Sequence, residues 1–334
     1  MAGALMRRLT VGLILAVGSC ASAQEVGSRV PESAEGAAAA APGAGESGGP
    51  AEGPAEPGAE PSPPMSLLDR FRRTFSQKED PDGPINTDRP TFTPANTVVP
   101  RGRLQFESGW TYNAEWTSRT RDNVFDFPEL AVRYGLADRV EFRMFWLGQT
   151  DSQAQGRRRG SRRVIDGPGD TQVGFKWQLF PGDEKRKWIP TTALITAIYA
   201  PTGGASPYSA ETVEPHVNLI YGWSLTKKLT LSGSTGYLGI REQGVPNSIP
   251  RSDNFQLFHD SLVAFYTPAD RTTLFYEWYV FTYTHAPDNR PLHFMDGGIL
   301  YRLAPNIQVD VRAGFGLSGR PDDFFTGTGF SIRF

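Results

Sequence analysis

The sequence has 334 residues, 39% of them hydrophobic and 12% aromatic, with 34 Lys and Arg against 36 Asp and Glu for a net charge of −2. No overall basic field points to nucleic acid, the composition is too polar for a bundle of membrane helices, and the single cysteine excludes a disulfide framework. A chain of this length holds either two ordinary domains or one large all-β domain.

Residues 1–23 run from Met6-Arg7-Arg8 through LTVGLILAVGSCASA to Ala21-Ser22-Ala23. A basic start, an apolar core and an Ala-x-Ala site are the order of a secretory signal peptide. An apolar run of about fifteen residues is short for a membrane-spanning helix. Cleavage after Ala23 removes Cys20 and with it any thiol chemistry; the alternative reading makes Cys20 a lipidated lipoprotein residue. Residues 24–64 are almost all Ala, Gly, Pro, Glu and Ser. Such a stretch buries too little apolar area to offset its ordering entropy and is expected to be a disordered spacer.

Residues 65–101 are expected to be a periplasmic lead-in or plug. SLLDRFRRTFSQ (66–77) reads as one or two helical turns, with Leu67, Leu68, Phe71 and Phe75 apolar. DPDGPINTDRP (80–90) sets Asp80, Asp82 and Asp88 around a glycine, faintly like a calcium loop, but lacks the terminal Glu and most of the ligand spacing. No metal or other cofactor is expected. Asp88 and Arg89 are instead expected to carry the chain into a barrel mouth, as a short plug that pairs with lumen charges.

Residues 102–334 change character. Apolar and polar residues alternate in twelve segments, near 103–114, 124–136, 139–148, 169–180, 189–200, 213–224, 229–239, 254–267, 272–283, 291–303, 307–317 and 323–334. Period two is the side-chain repeat of a strand. Short links (ADR, LTKK, PADR, APN) alternate with longer polar ones such as 149–168, 201–212 and 240–253. An even strand count, short turns at one end and long loops at the other predict an all-β fold, an antiparallel transmembrane β-barrel of about twelve strands with periplasmic turns and extracellular loops. Strands five and eight fit less well: Leu194 and Ile198 alternate with Ile195 and Tyr199, and Asp260 shares a face with Leu262, so bulges or register shifts are expected there.

A soluble sandwich also alternates, so the position of the aromatics decides. On the apolar parity Tyr134, Trp177, Trp223, Tyr266, Tyr301 and Phe334 stand near the short turns, and Tyr112, Trp146, Tyr199, Tyr237, Trp278 and Phe315 near the long loops. Two aromatic rings flanking an apolar band suit two lipid–water interfaces. The final TGTGFSIRF puts Phe334 on the lipid face, where it is expected to anchor the last strand.

The opposite parity carries charges of both signs: Arg103, Glu107, Glu129, Arg133, Glu141, Arg143, Asp170, Lys176, Glu277, Asp310 and Arg312, with Glu214, Asp296, Arg302 and Arg333 besides. They either pair across strands to fill a narrow lumen or line a path that selects solutes by charge and size. RRRGSRR in the second long loop offers Arg157, Arg158, Arg159, Arg162 and Arg163, which are either a solvated loop or a grip on lipopolysaccharide phosphates. An enzymatic reading rests on His259 and Ser261, two apart and sharing a face, as a Ser/His pair on a lipid-facing strand of a barrel lipase. No Gly-x-Ser-x-Gly elbow accompanies them.

INTDRPTFTPANTVVPRGRLQFESGWTY (85–112) and FPELAVRYGLADRVEFR (127–143) resemble the "transporter, meta-pathway of phenol degradation-like" family of bacterial outer-membrane barrels. The resemblance covers about residues 85–334. It implies a channel or transporter for small aromatic or apolar solutes that needs no energy source or cofactor. It also implies outer-membrane lipid as surroundings and the barrel-assembly machinery as a partner, with the C-terminal Phe334 as the assembly signal. A porin-like barrel without a dedicated substrate is the alternative reading.

Overall fold

The computed structural model describes residues 82–116, 120–156, 162–182, 188–210, 212–242, 253–284, 291–317 and 324–334. The expectations for the signal peptide, Cys20, the spacer, the segment 66–77, Asp80 and Arg157, Arg158 and Arg159 lie outside these residues.

The described strands are β1 (Leu104–Trp116), β2 (Thr120–Ala137), β3 (Val140–Trp146), β4 (Gln149–Gly156), β5 (Arg162–Pro168), β6 (Thr171–Pro181) and β7 (Thr191–Ala200). They continue with β8 (Glu214–Ser224), β9 (Leu229–Glu242), β10 (Asp253–Ala269), β11 (Thr272–Thr284), β12 (Leu292–Ala304), β13 (Ile307–Gly316) and β14 (Phe324–Arg333). β1 to β3 and β6 to β14 close into one antiparallel barrel of twelve strands. Closure runs from Gln105↔Arg333 to Ala114↔Phe324. Phe334 extends it, its amide donating to the Leu104 carbonyl at 2.8 Å and its own carbonyl accepting from the Leu104 amide at 3.3 Å. Closure leaves no unpaired ladder facing hydrocarbon, where an orphaned backbone group costs several kcal/mol.

The alternation sorts as the pattern predicts. Outward-facing Val311, Phe315, Phe330 and Phe334 are exposed, while Gln308, Asp310, Ser331 and Arg333 between them are buried in the lumen. Tyr134, Trp177, Tyr266 and Tyr301 are exposed on the outer face.

Three expectations are corrected. The stretch 149–168 is not a loop: β4 pairs with β2 from Phe127↔Gln149 to Thr120↔Gly156, and β5 pairs with β4. β2 therefore changes partner from β3 to β4 near Phe127-Pro128. QTDSQAQG is polar on both faces, so it lacks the apolar stripe by which a bilayer-crossing strand is recognised. Arg162 and Arg163 fall on β5, opposite Gln155 and Ala154.

Second, Tyr199 does not belong to the lipid-facing aromatic ring; it is buried inside. Third, the irregularities expected on strands five and eight lie at their short-turn ends, β7 against β6 between Gln178 and Phe180 and β10 against β11 between Tyr266 and Ala269, and not at Leu194–Tyr199 or Asp260. β7 pairs with β8 without interruption from Thr191↔Gly222 to Tyr199↔Glu214, and β10 with β9 from Asp253↔Glu242 to Tyr266↔Leu229. These strands are apolar on both faces because their lumen side is apolar too. Ala193, Ile195 and Ile220 form a small inward cluster there, and Leu257 is fully buried. Asp260 does face outward with Leu262, and its carboxylate accepts a hydrogen bond from the Thr235 hydroxyl at 2.7 Å.

Candidate functional site

Residues 82–101 enter and leave the barrel at its short-turn end. The Ile85 amide donates to the Pro305 carbonyl in the β12–β13 turn at 2.7 Å, and Arg101 bridges Gly135 near the β2–β3 turn. Between these points the segment rises to Thr93, whose hydroxyl meets that of Ser261 on β10 at 2.7 Å. A segment without a ladder must find acceptors for its amides elsewhere. Pro84, Pro90, Pro94 and Pro100 lower the number of donors, and three wall carboxylates take five of the remaining amides. Glu107 accepts from the amides of Asp88 at 3.0 Å and Arg89 at 2.9 Å. Glu141 accepts from Val99 at 2.7 Å, and Glu277 from Phe92 and Thr93, each at 2.7 Å.

The segment's own charges lock into the same wall. Asp88 meets Lys176 at 2.7 Å, Arg143 at 3.0 Å and Arg133 at 3.3 Å. Arg133 in turn holds Glu107 at 2.9 Å and Glu141 at 2.8 Å. Burial pushes the Asp88 carboxyl up, but the facing Arg133, Lys176 and Arg143 outweigh it and hold it well below the usual carboxylate range. Arg89 pairs with Glu129 and lies 3.6 Å from Asp310. Its guanidinium rests on Gly109 and Gly329, where a Cβ on either residue would collide with it. Two glycines on adjacent strands thus make the slot for one arginine.

The other side of the lumen is aromatic. Phe92 stacks on Tyr279 at 4.7 Å between centroids and meets Phe281 at 5.3 Å and His259 at 5.2 Å edge-on. Tyr279 stacks in turn on Phe294 at 5.1 Å. Tyr199, Leu238, Leu257, Leu292 and Phe325 complete this cluster. Where the segment, the charged wall and the aromatic wall meet, a cavity of about 160 Å³ remains, bordered by Phe92, Arg143, His216, His259, Tyr279 and Arg312.

Of the charges assigned to the lumen, Glu107, Glu129, Arg133, Glu141, Arg143, Lys176, Glu277 and Asp310 are buried inside, and Arg312 borders the cavity. Arg103 sits at the mouth and pairs with the exposed Asp82 at 2.9 Å. Asp170 is a correction: it accepts from the amides of Gly203 at 2.9 Å and Ala210 at 2.8 Å. It therefore fastens the long link after β7 rather than lining the lumen, because it precedes β6 where the chain is already outside the ladder. Asp82 and Asp88 take cationic side chains at separate places, which leaves the calcium-loop reading without a common centre.

His259 and Ser261 also require correction, because both face the lumen rather than lipid. The Ser261 hydroxyl is engaged by Thr93 and by Ser234, at 2.7 and 2.8 Å, while neither ring nitrogen of His259 has a hydrogen-bond partner. The sequence reading missed Phe92, Tyr279, Phe281 and the His216–Gln172 contact at 3.1 Å. Tyr279 and Phe281 share the inward parity of Glu277, a signal that was available on β11.

Comparison with known proteins places these features in context. The family described as "Putative MetA-pathway of phenol degradation" matches residues 87–334. An outer-membrane channel from Pseudomonas putida F1 superimposes with a TM-score of 0.53 at 13% identity, over 72% of this chain and 98% of that one. The translocator domain of the autotransporter NalP from Neisseria meningitidis gives a TM-score of 0.47 at 10% identity, over 70% of this chain and 88% of that one. No curated protein matches the sequence. The likeness to the Pseudomonas channel establishes the barrel fold.

Proposed function

Because the chain belongs to the family "Putative MetA-pathway of phenol degradation", we propose that it works as an outer-membrane channel. It passes small apolar and aromatic solutes down their gradients, with residues 82–101 as its plug. The observation that carries this reading is the divided lumen. β1 to β3 and β6 present carboxylates and cations to the plug, β11, β12 and β14 carry an aromatic surface beside the plug-holding Glu277, and a cavity lies between them. An apolar solute needs a ring-lined surface to leave water, and a plug held by polar contacts can be released without unfolding the barrel.

The geometry favours transport over hydrolysis, since Ser261 is hydrogen-bonded to its hydroxyl neighbours and His259 does not reach it. The signal peptide, recognition of Phe334 by the barrel-assembly machinery, and contact of Arg157, Arg158, Arg159, Arg162 and Arg163 with lipopolysaccharide phosphates belong to the same proposal. They place the short turns in the periplasm and the β4–β5 hairpin outside the cell.

Reconstitution in planar bilayers and liposomes tests it. Single-channel events and uptake of small aromatic solutes exceeding that of equally sized sugars are expected. Arg143→Ala and Glu141→Ala should shift ion selectivity in opposite directions. Bilayers that stay silent for the intact protein and for a variant lacking residues 82–101 would refute the channel, as would ester hydrolysis that disappears in His259→Ala.

A further inference from the structure

We propose that the lumen cavity is a binding site for a monocyclic arene carboxylate, its ring held by the aromatic wall and its carboxylate by Arg312. This deepens the channel reading, on which it rests, by naming the chemical class of the solute.

Size comes first. A cavity of about 150 Å³ lined by apolar side chains accommodates a benzene molecule, and the cavity here is about 160 Å³. Its borders include Phe92, Tyr279 and Phe325, all carried by the plug or the aromatic wall. Phe92 and Phe294 stack on the two faces of Tyr279 within the protein, so Tyr279 offers an incoming ring its edge.

Charge comes second. Arg312 donates to the Pro90 carbonyl and to the Thr111 hydroxyl, each at 2.9 Å, and lies 5.6 Å over the Phe325 ring. Both acceptors are neutral, and its Nε has no partner. The carboxylates around it are committed elsewhere: Glu129 to Arg89, Asp310 to Arg89 at 3.6 Å, and Glu277 to the amides of Phe92 and Thr93. Asp296 is the exception: it faces Glu277 across the β11–β12 ladder and neither of its oxygens has a hydrogen-bond partner, but it makes no ion pair with Arg312. Among the described residues, then, Arg312 borders the cavity with no ion-pair partner, whereas Arg89 has two and Arg143 one. An arginine in a confined, ring-lined space gains most from a planar anion that it can grip with two N–H groups.

A third group independently points to a polar ligand. His259 is 2% exposed, borders the same cavity, and neither of its ring nitrogens is hydrogen-bonded. Leaving a buried imidazole unsatisfied is unfavourable, and it offers one donor and one acceptor to a ring substituent such as a hydroxyl or the second carboxylate oxygen. Since Phe92 and Pro90 belong to the plug, an occupant of this site touches plug and wall together.

The test uses the full chain folded in detergent and titrated by calorimetry with benzoate, toluene, acetate and benzylamine. Benzoate should bind at least roughly tenfold more tightly than toluene or acetate, each of which carries half of its chemistry, and benzylamine should not compete. Arg312→Gln should weaken benzoate by roughly tenfold to a hundredfold, the range of a charge-assisted hydrogen bond, with toluene unchanged. Phe92→Ala should weaken both ring-bearing ligands and provides a second probe if Arg312→Gln misassembles. Equal affinity for benzoate and benzylamine, or unchanged benzoate binding in both variants, would overturn the site. Conductance recorded on the same preparations separates the two readings: current without benzoate binding discards the site and keeps the channel, and binding without current does the reverse.

Discussion

Replacing Asp88 by Asn removes one negative charge from the point where the plug meets Lys176, Arg143 and Arg133 at 2.7, 3.0 and 3.3 Å. The three cations are not equally affected. Arg133 keeps Glu107 and Glu141, and Lys176 keeps Glu141 at 3.6 Å, whereas Asp88 is the one ion-pair partner seen for Arg143 among the described residues. Breaking a buried ion pair from one side costs about 3–5 kcal/mol. Retention of the other partners puts the expected cost at the lower end, about 3 kcal/mol, or roughly a hundredfold in the ratio of released to docked plug. The assay is single-channel recording of the intact barrel beside limited proteolysis of residues 82–101. Asp88→Asn should raise open probability and cleavage together while the unheated barrel keeps its gel mobility. The same geometry gives a pH dependence. A carboxyl whose folded-state pKa is depressed contributes stability that is fully present above its unfolded value, about 3.9, and is lost as pH falls below it. The Asp88 clamp should therefore be constant from pH 5 to 8 and weaken only in stronger acid. Open probability equal to wild type in Asp88→Asn, or a wild-type plug that releases between pH 5 and 8, would refute this account.

Glu277→Gln keeps the shape but weakens the acceptor for two plug amides and the Thr93 hydroxyl, so it should also raise open probability, by about tenfold at 1.5 kcal/mol lost from charged hydrogen bonds. Gly329→Ala places a methyl against both the Arg89 guanidinium and the Ser108 backbone carbonyl of β1, so it should expel the arginine from its slot and also strain the β1–β14 ladder, giving faster proteolysis of the plug together with a lower barrel melting temperature. Phe334→Asp should impair insertion in cells, because charge on the lipid face is disfavoured. Phe325→Asp, on the lumen face, should insert but melt at lower temperature through loss of aromatic packing; equal insertion defects would contradict the assigned faces.

The barrel was legible because a bilayer imposes a simple rule: every second residue meets lipid. Leu104, Phe106, Trp110 and Tyr112 obey it on β1, as do Ile307, Val309, Val311 and Phe315 on β13. The rule says nothing about the inward parity, which can be polar or apolar at will. On β7 and β10 Ile195, Tyr199 and Leu257 turn inward, so both faces read as apolar and the alternation blurs without any break in the ladder at those residues. The β4–β5 hairpin escaped for the converse reason, being a paired strand with no apolar face at all. Asp88 and Arg89 could be suspected of meeting lumen charges, yet their partners were not predictable individually. Lys176 lies 88 residues from Asp88, and only barrel closure and strand stagger bring the two together.

The division of the lumen has a consequence for how opening and selection relate. The carboxylates that hold plug amides stand on β1, β3 and β11, and the cations that hold Asp88 on β2, β3 and β6. The rings stand mainly on β11, β12 and β14. Withdrawing the plug strips Glu107, Glu141 and Glu277 of backbone donors at once, and water must replace them, since a confined carboxylate without donors is strongly disfavoured. On the proposed reading, the emptied charged groups should then be wet and pass ions, while the rings of β11, β12 and β14 should keep their affinity for aromatic solutes. Release is governed by the first set of residues and solute preference by the second. Substitutions at Glu141 or Lys176, which hold the plug without bordering the cavity, should alter open probability at constant solute ranking, and those at Phe294, which stacks behind Tyr279, should act mainly on the ranking. Phe92, Arg312, Tyr279 and His259, which join plug and cavity, should change the two together.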